Sequence, residues 1–355
     1  MTISYSDAVL LHCLNQINNE RSIYSLYHLF QGKKSSQTIQ DAHLFNLTAF
    51  FRAFPLLTRM ELEKAIEELQ HSGLLERTSN EHYRLNKFGE SALREFHTRN
   101  ELPPKFLEGW NYHHLTTVFW ERLSILVQVC SNLVHQKKGF IPVQNKQETL
   151  EWVKSYIKAQ NINRYDLAEQ LYNELIFCLE SEQTIQPSVL ILRMTGNNRI
   201  GLTSKQAADM LNMENTHYQL EFLNVIHFMI GTISANQDQY KQLSGLVRDA
   251  QKTVPFTLST EKTYRLIEKG FTPIEIANIR KLKTSTIEDH IVEIALHLES
   301  FDLNKYVNEN KQERIMKVAN ETSAKKLKQI RDYVNDASYF EIRLVLARNG
   351  GRQWN

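Results

Sequence analysis

Cysteine, glycine and proline are all scarce in this chain. Its 355 residues include three cysteines, 12 glycines and 7 prolines. Cys13, Cys130 and Cys178 lie far apart, and none has a Cys-x-x-Cys partner. That spacing argues against a disulfide framework and a structural zinc site, and leaves each as a small buried hydrophobe. So few turn formers fit long helices with short connections better than an all-β chain. No run approaches the roughly 18 consecutive apolar residues of a membrane helix. The start, MTISYSDAVLL, lacks the basic-then-apolar order of a signal peptide. The expectation is a cytoplasmic protein with no membrane contact.

Charge of one sign is lacking too. Lysine and arginine number 42 against 40 aspartates and glutamates, a net +2, so any nucleic-acid site must be local. Catalytic motifs are missing as well. Gly32-Lys33-Lys34-Ser35 has neither the upstream glycine nor the register of a phosphate-binding loop. There is no His-Glu-x-x-His, and the adjacent His113 and His114 point apart on a helix. No Gly-x-Ser-x-Gly elbow occurs. The chain is therefore expected to be non-enzymatic, with no cofactor, no metal and no small-molecule substrate.

What is present is ordinary globular composition, 42% hydrophobic and 23% charged. The length implies two or three domains. Helical periodicity covers most of the sequence, interrupted at Leu102-Pro103-Pro104 and Lys252-Thr253-Val254-Pro255. Three blocks follow: 1–102, 105–250 and 255–351. The expected fold is mainly α, with helix-turn-helix and winged-helix units, one small β-hairpin wing, and a helical middle domain linking them.

In the first block, helices are expected near Tyr5–Ile17 and Ser22–Phe30, closed by Gly32, with the next starting at Ser35 or Ser36. Thr58 and Glu61 form a capping-box pair. Leu62, Ile66 and Leu69 make an apolar stripe that Gly73 ends, and Leu74–Arg77 and His82–Leu85 read as short strands. Helix, glycine, hairpin and helix is the order of a winged helix. Arg59 and Lys64 on its reading helix and Arg77, Arg84 and Lys87 around the wing are candidate contacts. Glu61, Glu63, Glu67 and Glu68 crowd the same helix, which leaves a protein-binding wing open beside a nucleic-acid one. In the middle block, Thr203 can cap a short helix containing Ala207, and a second helix follows from about Glu214. That makes 201–231 a degenerate helix-turn-helix.

The third block carries the clearest motif, FTPIEIANIRKLKTSTIEDHIVEIALHL. Thr272 is an N-cap, Pro273 sits at the first helical position and Glu275 completes a capping box. Lys281-Leu282-Lys283 makes the turn, and Ile287, Ile291, Ile294 and Leu298 share one face of the second helix. Glu275-Ile276-Ala277, Leu282, Thr286-Ile287, His290-Ile291 and Ile294 resemble the helix-turn-helix of the LuxR-type response regulators. The block, ending LKQIRDYVNDASYFEIRLVLARNGG, looks like the helicase-type helix-turn-helix domain at the C-terminus of some RecQ helicases. With GKKSSQTIQD and the winged-helix-like segment, the whole chain resembles the YpbB family of Firmicutes. The resemblance implies an accessory protein of a RecQ-type DNA helicase, supplying in trans a domain that other helicases carry in cis. DNA, as duplex or as a single-strand/duplex junction, and nucleoid association are implied with it. A helix-turn-helix transcription regulator binding one DNA site is the alternative.

A reading helix meets base edges with its outward N-terminal residues. Here Lys281, Lys283, Thr284, Ser285 and Thr286 are the candidates, with Glu288 and Asp289 opposing phosphate. Asp289, Val292, Glu293 and Leu296 form an acidic and apolar outer face. Packing inside the domain, a protein partner and DNA all remain open for it. A cationic run, Lys311, Arg314, Lys317, Lys325, Lys326, Lys328 and Arg331, with Arg343, Arg348 and Arg352 beyond, is either a solvated face or a phosphate-tracking patch.

Overall fold

The computed structural model describes residues 3–137, 139–250, 257–322 and 327–349. The chain is mainly helical, with a single two-stranded antiparallel sheet among the described residues. The first stretch holds α1 (Tyr5–Ile17), α2 (Ile23–Gln31), α3 (Ser36–Leu44), α4 (Arg59–His71), β1 (Leu75–Ser79), β2 (His82–Leu85) and α5 (Lys87–His97). The middle holds α6 (Gly109–Tyr112), α7 (Thr116–Val134), α8 (Gln147–Ala159), α9 (Arg164–Glu180), α10 (Ser188–Ile191), α11 (Ser204–Met210), α12 (Asn215–Ala235) and α13 (Lys241–Gly245). The last holds α14 (Leu258–Glu268), α15 (Pro273–Arg280), α16 (Thr284–His297), α17 (Glu309–Thr322), α18 (Leu327–Tyr333) and α19 (Tyr339–Asn349). These stretches form two compact units, residues 1–9 with 92–251, and residues 10–91 with 252–355.

In the first unit, α7, α9 and α12 supply most of the core, including Phe119, Leu123, Leu171, Tyr218 and Met229. Thr203 caps α11 as expected, and Gln206 completes a capping box with it. α12 is buried without a break from Asn224 to Ile230, so that half is enclosed on every face and is a core element. Its first turns, from Asn215, reach solvent. His227 lies inside this core. Its Nδ1 accepts from the Glu108 amide at 3.0 Å, and its Nε2 pairs with Thr116 Oγ1 at 3.0 Å. Burial, reinforced by His113, pushes its pKa down to about 3.

In the second unit the local signals act as expected. Gly32 caps α2 at φ 72°, in the left-handed region that costs glycine little. Ser35 accepts from the Thr38 amide at the start of α3, and Thr58 and Glu61 form the capping box of α4. Leu62, Ile66 and Leu69 are buried. β1 starts one residue later and ends two residues later than expected. It pairs Leu75 with Leu85 and Glu76 with Arg84, with an irregularity between Arg77 and Ser79. The last six helices enclose a core of Ile276, Ile287, Ile291, Val292, Ile315, Ile330, Ile342 and Val345, and Leu44 of α3 packs against it. Each such side chain contributes about 1.5–3 kcal/mol by leaving water.

Candidate nucleic-acid interface

The Lys281-Leu282-Lys283 turn joins α15 to α16. α15 starts on its capping box, with Glu275 Oε2 accepting from the Thr272 amide at 2.8 Å and Thr272 Oγ1 accepting from the Glu275 amide at 3.3 Å. Lys281 leaves the helix at φ 52°. The Leu282 amide then returns to the Ala277 carbonyl at 3.0 Å, and the Leu282 side chain packs toward the core. Lys283 is the N-cap of α16 and makes no side-chain cap bond. A lysine side chain has no acceptor to offer the first amides of a helix, so those of Thr284 and Ser285 have no side-chain cap, while the Thr286 amide turns back to the Lys283 carbonyl at 2.9 Å. Lys281, Lys283, Thr284 and Ser285 are exposed and Thr286 is half-buried. From His290 to Ala295, by contrast, α16 is buried on all sides.

The acidic residues of α16 are engaged inward. Asp289 accepts from Arg343 Nη1 of α19 at 2.6 Å. Glu288 is half-buried, and burial raises its pKa against the opposing pull of Arg343. Arg343 is thereby committed to an ion pair inside the unit. The outer face expected from the sequence is an interior surface. Val292 is fully buried. Glu293 is buried and caps α14, accepting from the Thr257 amide at 2.6 Å and from the hydroxyls of Thr257 and Thr260. Leu296 is half-buried and shares a small cavity with Leu44 and Leu346. The partner-facing assignment of Asp289, Val292, Glu293 and Leu296 is therefore corrected. α3, α14 and α19 cover that face, so the packing alternative holds.

Two residues that the sequence reading did not single out fix α15 in place. Arg280 donates to the Ser259 carbonyl at 2.8 Å, to Ser259 Oγ at 3.0 Å, and to Thr263 Oγ1. Thr263 Oγ1 also pairs with His290 Nδ1 at 2.8 Å. Burial first, and Arg280 second, lower the His290 pKa to about 4 against the opposing effect of Asp289. An Arg at the end of a short helix and a Thr in the helix before it are the only local traces of this arrangement.

The cationic run does not form one open patch among the described residues. Lys311 pairs with Glu341 at 2.9 Å, Arg314 with Asp336 at 2.8 Å and Lys317 with Glu321 at 3.9 Å. Arg348 donates to the carbonyls of Glu299 and Phe301. Arg331 lies over the Tyr339 ring at 4.5 Å, and Lys328 is exposed. Lys325, Lys326 and Arg352 lie outside the described residues. The wing cations are engaged as well. Arg59 lies over Tyr24 and Tyr27 at 5.0 and 5.5 Å, and Lys64 pairs with Glu68 at 3.7 Å. Arg77 donates to Asn80 Oδ1 at 2.8 Å, and Arg84 pairs with Glu76 at 2.6 Å. Lys87 is exposed at the start of α5.

Residues 259–346 match the family model described as a helix-turn-helix domain, the span that contains the turn and α16. This is a helix-turn-helix protein, and that domain supports a DNA-binding role. Across the whole chain, Protein YpbB of Bacillus subtilis (strain 168) is 36% identical over 351 residues, covering 98% of each chain. The chain belongs to the YpbB family. No solved structure matches it. No helix among the described residues is long and apolar enough to cross a membrane.

Proposed function

We propose that this chain is a non-enzymatic accessory protein of a RecQ-type DNA helicase that touches DNA through the Lys281–Thr286 end of its helix-turn-helix. One observation carries the DNA half: the N-terminus of α16, with no side-chain cap, directly follows exposed Lys281 and Lys283, while Arg343 takes up Asp289. Open helix amides beside two ammonium groups suit a phosphate. The burial of α16 from His290 onward restricts contact to its first turns. A regulator would meet base edges with the same N-terminal residues, so a discrete palindromic site in genome-wide binding, rather than this geometry, would favour the regulator. The helicase half rests on the resemblance of the third block to the RecQ C-terminal domain.

The test is fluorescence anisotropy of the full chain on labelled duplex and forked DNA across a salt series. The double variant Lys281→Ala/Lys283→Ala lowers affinity about tenfold and reduces the salt slope by about one per lysine. Unchanged affinity and slope reject the DNA half. Co-purification with the helicase, with and without nuclease, tests the other half. Absence of a complex at micromolar concentration rejects it.

A further inference from the structure

α9 carries apolar residues beyond its buried face. Leu167, Leu171, Cys178 and Leu179 point into the core of the first unit. Yet Tyr165, Tyr172, Ile176 and Phe177 are 52, 62, 37 and 53% exposed. A helix with apolar residues all round is normally buried all round. At 100° per residue, Tyr165, Tyr172 and Ile176 fall within about 40° of one another. They form a ridge about 16 Å long at 1.5 Å rise per residue. These three side chains expose on the order of 300 Å², near the size at which a patch on a monomer is often functional; Phe177 lies about 100° further round the helix and is not part of the ridge. Tyrosine is among the residues enriched at protein interfaces, where a ring packs and a hydroxyl stays wet.

The border of the ridge says what covers it. Glu169 and Glu180 lie beside it on the same outer arc, exposed and without a salt-bridge partner among the described residues. Asp166 follows, exposed, and accepts from Asn163 at 2.6 Å. The cation of the helix, Arg164, lies on the other side of the ridge. An apolar line edged by carboxylates complements an apolar line edged by lysine or arginine. We infer that the outer face of α9 is a docking surface for an amphipathic protein helix whose apolar stripe is bordered by basic residues. This rests on the partner-binding reading proposed above and assigns that reading a surface.

The probes are three labelled helical peptides of equal length: leucine with lysine, leucine with glutamate, and alanine with lysine. Each is titrated against the full chain and against Tyr172→Glu and Ile176→Glu, with melting curves to check folding. The leucine–lysine peptide binds the wild type at least about tenfold more tightly than either control peptide. Both variants fold and lose that binding by a similar factor. Equal binding of all three peptides, or variants that fold and bind as the wild type, overturns the inference. So does a wild-type dimer in sedimentation that the variants dissolve, since the ridge would then serve self-association. Binding of the helicase by the wild type and by the Tyr172→Glu/Ile176→Glu variant alike overturns this surface and leaves the accessory function standing. A wild type that binds no helicase rejects the function, and the peptides alone then decide the surface.

Discussion

α4 and α16 both stand where a helix-turn-helix places its reading helix, and they differ in what they leave to solvent. α4 shows Glu61, Glu67 and Glu68 along its length, while Arg59 is held over two tyrosines and Lys64 by Glu68. α16 is enclosed through its second half and shows only its start, just after Lys281 and Lys283. The two helices share a local grammar, since a capping box opens α4 and another opens α15 just before α16. The motif fixes how the helices pack. Where unpaired positive charge falls decides which end can meet a phosphate.

The largest break of this contrast is in stability. Val292→Asp places an unpaired carboxylate in the core of the second unit and is expected to cost about 4 kcal/mol or more. Glu67→Ala on the exposed face of α4 shifts stability by about 0.5 kcal/mol or less. Urea denaturation of both variants measures the difference, and equal effects would mean that α16 is as open as α4.

Acid tests the enclosure of two histidines. Burial lowers His290 to about 4 and His227 to about 3, from an ordinary value of 6.5. Above pH 6.5 both are neutral whether folded or unfolded, and neither makes stability depend on pH. Below it the unfolded chain takes up protons that the folded chain refuses. Stability therefore falls from about pH 6.5 down through the folded value of each. The imidazole resonances report this directly by NMR. If both rings titrate near 6.5, the enclosure of α16 and α12 is wrong.

The smallest effect sharpens the electrostatic half. Arg77→Ala and Arg84→Ala remove wing cations that already have partners, so DNA affinity changes less than about twofold. A loss matching that of the Lys281→Ala/Lys283→Ala variant would move the interface to the wing.

Much of the fold was legible because its signals are local. The capping pairs Thr58/Glu61 and Thr272/Glu275 each span three residues and form as read, and Thr203 caps α11 as read. The stripe Leu62, Ile66, Leu69 and the stripe Ile287, Ile291, Ile294 are buried as their spacing requires. What sequence could not convey is contact between distant segments. Nothing near Glu293 announces that Thr257 and Thr260 lie against it, so a buried capping carboxylate resembled a surface one. Asp289 resembled a charge turned toward phosphate because Arg343 is 54 residues away. Leu44 gives no sign that it meets a core built after residue 275. The middle block was legible at its start, where Thr203 caps α11, while the enclosure of α12 from Asn224 to Ile230 depends on helices distant in sequence.

The second unit is assembled from residues 10–91 and 252–355, with most of the first unit lying between them in sequence. That order bears on how the chain is made. At about 5–20 residues per second, the ribosome needs roughly 8–30 s to span the intervening segment. For that time α3 has emerged without the helices that cover Leu44. The early segment must wait as a nascent chain with part of its apolar surface in water. A stop codon within the third block would therefore harm more than the residues it deletes. It would strand the N-terminal half-unit without its counterpart, a substrate for chaperones and proteases.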